Sequence, residues 1–565
     1  MKDDQILDSW KEITAYLRRS RKTCIRWEKE LGLPVHRYED SPKARVFAYK
    51  DEIDLWRKKT QHSDKKLFIR KFTSKRLFIP VFAITAAILI GVILTGFFVL
   101  QRRHDSIDSI AVLPFKDMNP GRDTEYLAEG IPETLINALN RIEGLHVSGK
   151  TSSFFFKGEQ DIQKIGRRLG VDALLEGSIQ TSGNNLRVMV RLININNGFQ
   201  IWSEDYHRTI DDVFAVQDDI TQSVVKALKV KFQSEKEGLL VKTSTSNSEA
   251  FNFYLQGLSL LRRHTESDLY QAVALFQKAL QEDPSFVHAY TGLAESYINL
   301  LGLAVRPDSD LLTQAESATM EAIKLDESLA EAHSALGVIM AYFRWSWADA
   351  EQEFKHALQL NPRSVSVRLA YSRYLRDLGR YEEAYKLGEK AQERDPLSID
   401  VAYQLVMNMA NLGQHNKALE HLLNFLEIYP ESSFLHWTLA LLHLEMGNFE
   451  KGIQTLHEQI KLMEGENISD EIGMLAYAFA RWGNREKAEE YLQQLFSYAE
   501  QHYVSPTIFA IVHGALGNLD EAIKWLERAY DLHDYRLAYA RFFWYDPIRK
   551  DPRFSELMKK IGLEK

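Results

Sequence analysis

The chain has 565 residues, 45% hydrophobic and 26% charged; that length corresponds to roughly three to four domains, and the composition excludes disorder as the dominant state. The net charge of −8 sums two unlike parts, because residues 1–76 carry 21 Lys and Arg against 12 Asp and Glu while residues 101–565 hold −17. A basic head on an acidic body points to a polyanion at one end, nucleic acid or anionic lipid, and a single cysteine, Cys24, excludes an internal disulfide framework and any Cys-based zinc site.

Asp8-Ser9-Trp10-Lys11-Glu12 opens as a capped helix whose apolar face is Trp10, Ile13 and Leu17. Arg18-Arg19-Ser20 is a short polar break. Ser20 then caps a second helix, Arg21 to Leu31, in which Cys24, Trp27 and Leu31 share one stripe while Arg21, Lys22, Thr23, Arg26 and Lys29 occupy the others. Gly32 stops it and Pro34 prevents its resumption. Two short helices around a three-residue turn, the second opening on basic residues, are what a helix-turn-helix needs, since its second helix enters a phosphate-walled groove N-terminus first. Val35 to Tyr38 and Ala44 to Tyr49 flank a polar, Pro-containing tip and predict a two-stranded wing, after which Asp51 caps a third helix through Ile53, Leu55 and Trp56.

The run SWKEITAYLRRSRKTCIRWEKELGLPVHR…RVFAYKDEIDLW resembles the winged helix-turn-helix of MerR and excisionase-type DNA-binding domains over about 50 residues. That resemblance implies double-stranded DNA as a partner, with Arg21, Lys22, Thr23 and Arg26 facing the major groove and Arg37 and Arg45 making the wing contacts. The other reading of the same residues is the solvated face of a small protein-binding fold.

Residues 77–100 are 24 consecutive residues without a charge, about 36 Å as a helix against a hydrocarbon core of about 30 Å. They predict one transmembrane helix. Nine Lys and Arg between Arg57 and Arg76 precede it, and only Arg102 and Arg103 follow closely, so the N-terminus is expected in the cytoplasm. The tether's lysines also suit anionic headgroups.

After the span, Ile110 to Phe115 reads as a buried strand, Thr124 to Leu139 as an amphipathic helix and Asp161 to Leu169 as a second helix. Ala173 to Gln180, Leu186 to Ile195 and Phe199 to Tyr206 alternate as antiparallel strands joined at Gly183-Asn184 and Asn196-Asn197-Gly198, and a last helix spans Asp212 to Phe232. SIAVLPFKDM, YLAEGIPETLINAL, LGVDALLEGSIQ and RLININNGFQIWSEDYHRT resemble the TolB N-terminal-like domain. Such domains occur beside the regulatory or output modules of bacterial membrane regulators and adenylate cyclases, and the resemblance brings no catalytic residues. Asp211-Asp212, Asp218-Asp219 and His207 read as surface groups rather than an acid/base set.

From Ala250 a period near 34 appears as a small residue, a large one, a small one and a proline: Ala272, Phe276, Ala279, Pro284, then Ala350, Phe354, Ala357, Pro362. Glycines at 379, 413, 447, 483 and 517 mark the turn inside each helix pair. This resembles the tetratricopeptide repeat (TPR), with about eight units between 250 and 535. The first helix of each unit lines a concave face, where Tyr290, Tyr297, His333, Arg368, Tyr371 and His436 either meet a protein or peptide or fill the packing between repeats. Asp546 to Lys565 is expected to cap the last repeat.

These elements predict a multidomain, mainly α chain: a winged helix-turn-helix over 1–60, a basic tether over 61–76, a transmembrane helix over 77–100, a small α/β domain over 105–232, a linker over 233–249, a tetratricopeptide α-solenoid over 250–545 and a cap over 546–565. The function they imply is a membrane-integral, one-component transcriptional regulator of a bacterial inner membrane, its head in the cytoplasm and its C-terminal region in the periplasm. Two half-sites read by paired heads imply a homodimer. The alternative is an envelope scaffold whose repeats assemble proteins and whose head docks a cytoplasmic protein. No Gly-rich phosphate loop, HExxH or GxSxG occurs, so no catalytic residue, cofactor or metal is expected.

Overall fold

The computed structural model describes residues 5–38, 45–61, 107–121, 124–142, 144–210, 213–228, 245, 247–263, 265–303, 309–463 and 467–564. Two compact units result, Met1–Ser106 and Ile107–Lys565. Residues 77–100, the expected span, lie outside the described residues, among which no helix is long and apolar enough to cross a membrane. Most of the tether and of the 233–249 linker also lie outside them.

In the first unit, α1 (Trp10–Leu17) begins where Glu12 N donates to Ser9 Oγ at 3.3 Å, and α2 (Arg21–Leu31) where Thr23 N donates to Ser20 Oγ at 3.3 Å. Both caps satisfy a helix-end amide that has no carbonyl partner. Between the helices Arg18 takes the left-handed conformation, φ 50°, and Arg19 N closes back on Thr14 O at 3.1 Å. This compact stop fixes the angle at which α2 leaves α1. β2 (His36–Arg37) pairs antiparallel with β3 (Val46–Tyr49), which pairs in turn with β1 (Ile6–Leu7), a short strand with no signal in the sequence. Ile13, Leu17, Cys24, Leu33, Val46, Ala48 and Ile53, the last on α3 (Lys50–Gln61), close one small core. Leu55 of α3 is exposed, and Trp56 ties the helix to α2, its Nε1 donating to Leu31 O at 2.7 Å.

The second unit opens with a six-stranded sheet. β4 (Ser109–Val112) lies parallel to β6 (His146–Val147) and to β7 (Ala173–Ser182), while β7, β8 (Asn185–Asn194) and β9 (Gln200–Thr209) run antiparallel; β5 (Lys116–Asp117) adds to β7. The predicted hairpins are there, with Gly183 and Gly198 at positive φ in their turns. Leu127, Ile131, Leu135 and Leu139 of α4 (Glu125–Asn140) bury against this sheet. The short helices α5 (Lys150–Phe155) and α6 (Ile162–Leu169) complete the domain before α7 (Val213–Ala227).

Eight helix pairs follow among the described residues, from Ser248 to Asp531. The small-and-large pattern has a direct cause. Phe276 is fully buried between Gly257 and Gly292, and a Cβ at either glycine would stand 2.7 or 2.6 Å from its ring. Phe354 fills the same place beside Gly337. The turn glycines at 379, 413, 447, 483 and 517 all have positive φ, which a side chain opposes.

The two parts of this unit are packed together rather than merely tethered. Arg262, at the end of the first repeat helix, bridges Glu129 at 2.6 Å and Glu133 at 2.5 Å on α4. Asp395, in a loop between repeats, accepts from Ser152 N at 2.7 Å. The C-terminal segment, from Leu532 onward, also reaches beyond the last repeat. Instead of capping the last repeat alone, it runs back over the early ones: Tyr535 OH donates to Gly302 O at 2.7 Å, Trp347 Nε1 donates to Ile561 O at 2.6 Å, and Trp345 stacks on His533 at 4.9 Å.

Candidate functional site

Helix α2 presents its polar face to solvent. Arg21, Lys22, Arg26 and Lys29 are exposed on it, and Arg18 and Arg19 are exposed in the turn before it, so six cations fall within twelve residues. Arg21 and Lys22 occupy the first turn, where the helix dipole opposes positive charge. Neither has an ion-pair partner among the described residues. Arg26 is exposed and only loosely opposed, by Glu30 at 3.8 Å. Thr23 departs from its expected role: it is half-buried and its Oγ1 lies 2.8 Å from Ser20 Oγ, which makes it part of the cap. Cys24 is buried beneath this face, and burial pushes its thiol up, which leaves it a packing residue.

The two wing arginines differ. Arg45 is exposed at the start of β3, whereas Arg37 reaches back to Glu28 of α2 at 2.7 Å and ties the hairpin to the helix. The hairpin tip, 39–44, lies outside the described residues. The sequence reading missed an aromatic face on this hairpin: Phe47 lies 5.2 Å from His36, 4.5 Å from Tyr38 and 5.7 Å from Tyr49, with Tyr38 and Tyr49 exposed. The signal was the alternation of aromatics in the strand run. Tyr38 is fixed by donating to Asp8 Oδ1 at 2.7 Å, a bond that holds its phenol above the ordinary range.

Within the repeats, the six residues predicted on first helices are placed less openly than expected. Tyr297 is buried and its OH accepts from Gln277 Nε2 at 3.1 Å. His333 is buried between Glu353, 2.7 Å from Nδ1, and Glu327 O, 3.1 Å from Nε2. Tyr371 is buried and donates to Glu351 Oε1 at 3.2 Å. Tyr290 and His436 are half-buried, the latter with Nδ1 2.9 Å from Ser432 O. Arg368 donates to backbone carbonyls beside it. For the three buried residues the structure shows the packing alternative, their polar atoms serving neighbouring helices.

Part of the first-helix surface is instead covered by the chain's own end. Arg376, buried, pairs with Asp377 at 3.1 Å, donates to Gln404 Oε1 at 3.0 Å and lies 5.2 Å from the ring of Phe542. A cleft of about 160 Å³ remains beside it, walled by Tyr403, Trp437, Tyr539 and Trp544, with the Asp470–Arg536 pair at 2.7 Å on its border. Among the described residues no three His, Cys, Asp or Glu side chains are grouped to hold a metal ion. His207 lies 3.5 Å from Asp205, and Asp219 pairs with Arg208 at 3.1 Å, as surface groups do.

The family of the HilA/YgeH-like transcriptional regulator, second domain, matches residues 106–223, the stretch for which a TolB N-terminal-like domain is expected from sequence. Tetratricopeptide repeat families match 346–399, 400–432 and 472–502. The chain is similar to Putative adenylate cyclase 3 of Rhizobium meliloti (strain 1021), 33% identical over 241 residues that cover 42% of this chain and 40% of that protein. It is similar also to Transcriptional regulator HilA of Salmonella typhimurium, 22% identical over 293 residues, 51% of each chain. The chain thus spans about half or less of the length of these relatives. Among solved structures, pilF of Pseudomonas aeruginosa is 22% identical with a TM-score of 0.28, covering 37% of this chain and 92% of that one.

Proposed function

We propose that this protein is a one-component transcriptional regulator whose head binds double-stranded DNA through α2 and its wing, and whose repeats bind a protein or peptide. One observation carries the reading: six cations gathered on the turn and α2, two of them unpaired where the helix dipole disfavours them. A fold tolerates that arrangement when an anion completes it, and guanidinium groups at the start of a groove-entering helix reach guanine edges. The similarity to a HilA-like regulator domain in the body supports the same reading. The winged helix-turn-helix resemblance of the head and the uncharged stretch 77–100 extend it to a membrane-integral regulator. Its basic flank lies on the head's side, so the head is cytoplasmic and the body is periplasmic. Paired heads reading two half-sites make the regulator a homodimer. No catalytic step is part of the proposal.

The test is duplex binding by residues 1–61 across a salt series. Sequence-selective binding is expected, with Arg26→Ala losing about 10- to 100-fold on the selected site, while Lys22→Ala weakens all duplexes alike and lowers the salt slope by about one. Absence of duplex binding at low salt overturns the reading and leaves the scaffold alternative. A reporter active only outside the cytoplasm, fused after residue 245, tests the topology; an inactive fusion removes the periplasmic part.

A further inference from the structure

Three arginines of the second unit lie near the seam between its two parts. Arg363 stands just before α14 (Val365–Asp377), Arg368 lies in the first turn of α14, and Arg394 follows α15 (Tyr381–Gln392). Loops of successive repeats thereby bring them to the edge of the array that meets the α/β domain. Contact at this seam is direct: Arg363 Nη1 donates to Ile142 O at 2.5 Å, and Gly149 N donates to Arg394 O at 2.6 Å. Arg368 is held by donating Nη1 to Lys390 O at 3.0 Å and Nη2 to Pro362 O.

The positive charge gathered there is answered only at a distance, by Glu393, and not by an ion pair among the described residues. Arg368 Nε and Arg394 Nη1 are buried and meet no acceptor. Among the described residues none of the three has an ion-pair partner. The three lie close enough to repel one another: burial, then Arg368 and Arg363, hold Arg394 below its ordinary value, and burial with Arg394 and Arg363 does the same to His146 on β6. Glu393 and Asp172 act in the opposite sense without forming an ion pair. Elsewhere in this unit guanidinium groups meet carboxylates, Arg376 with Asp377 and Arg262 with Glu129 and Glu133, although Arg262 Nε is likewise left without an acceptor. An unpaired buried donor on a cation is costly, and Arg368 and Arg394 each keep one.

We propose that Arg363, Arg368 and Arg394 form a binding site for a phosphate-class oxyanion, the phosphoryl group of a small soluble molecule, at the seam between the α/β domain and the repeats. A guanidinium offers planar, paired donors that match phosphate oxygens, and a tetrahedral anion accepts from three sides at once. Such a ligand bridges two domains of the unit and fixes their packing, whatever the head binds.

The test is titration calorimetry of the full chain with pyrophosphate and with inorganic phosphate at constant ionic strength. Saturable binding is expected, weakened at least tenfold in Arg394→Gln and unchanged in the head variant Arg21→Ala/Lys22→Ala. Because the Arg394 side chain donates no hydrogen bond within the described residues, Arg394→Gln is expected to unfold no earlier than the wild type in the absence of phosphate. No saturable signal, a signal unchanged in Arg394→Gln, one lost in the head variant instead, or binding of citrate without phosphate overturns the proposal. Early unfolding of Arg394→Gln without ligand also overturns it, because the arginine would then be structural.

Discussion

In the body, several exposed guanidinium groups find carboxylates: Arg187 meets Asp205 at 2.5 Å, Arg344 meets Glu316 at 2.6 Å, and Arg553 meets both Asp551 at 2.7 Å and Asp520 at 2.9 Å. In the head, Arg21 and Lys22 meet none and sit at the end of α2 where the backbone already carries positive potential. Exposed pairs of the first kind are worth only about 0–1 kcal/mol each, so they decorate a fold that packing holds. Unpaired cations of the second kind work against the local fold and are stabilised by what binds them. The same contrast recurs inside the body, where Arg376 is matched and the arginines at the domain seam are not.

The contrast can be broken or sharpened by substitution. The largest effect is expected from Phe276→Ala, which removes a ring wedged between Gly257 and Gly292; denaturant unfolding should show a loss of about 3–5 kcal/mol in the body, with duplex binding by the head unchanged. An effect on both units would end the separation between them. Next is the pH dependence of Glu471, a buried carboxyl pushed up to about 7 by burial and the neighbouring Asp470, and bonded by Gln459 Nε2 at 2.7 Å. In the folded protein it holds its proton up to that pH, whereas unfolded it releases it near 4.5. Its contribution is therefore complete below pH 4.5 and falls as pH rises to 7, by about 3 kcal/mol. Stability of Glu471→Gln relative to wild type should rise across that window, and a flat difference would refute the burial argument.

Smaller effects are expected in the head. Ser20→Ala removes the cap of α2 and should cost about 1 kcal/mol, seen as a lower melting temperature of residues 1–61. Arg21→Ala should do the reverse, stabilising the isolated head by a few tenths of a kcal/mol while weakening duplex binding. If Arg21→Ala instead destabilises the head, the residue serves folding and the comparison with the body fails at its central point.

Much of this organisation was legible because its signals are local. Ser9 and Ser20 cap the helices they precede, Gly183 and Gly198 sit in the turns they marked, and Phe276 with its flanking small residues specifies a close helix crossing. Each depends on neighbours in sequence or on one repeat period. The strand Ile6–Leu7, by contrast, exists only because β3 supplies an edge for it. Helix Lys150–Phe155 has no periodic apolar pattern; its position is set by Asp395, 243 residues from Ser152. Of the apolar residues of the third helix, which of Leu55 and Trp56 turns inward was not legible: Leu55 is exposed and Trp56 bonds to Leu31 O. Of the candidate site, Arg21, Lys22, Arg26 and Arg45 could be read from exposure patterns, whereas the pairing of Arg37 with Glu28 and the turning of Thr23 toward Ser20 could not.

By itself the sequence determined the division into a basic head and an acidic body, the helix caps, the hairpin turns and the repeat period, since propensity, capping and periodicity act within a few tens of residues. Tertiary structure alone decided that the C-terminal segment returns to Gly302 and Trp347, that the α/β domain packs on the repeats through Arg262 and Asp395, and that Arg363, Arg368 and Arg394 share one seam without a carboxylate partner. Those contacts join groups far apart along the chain, and whether a charge is matched or left open depends on which distant side chains the fold brings within reach.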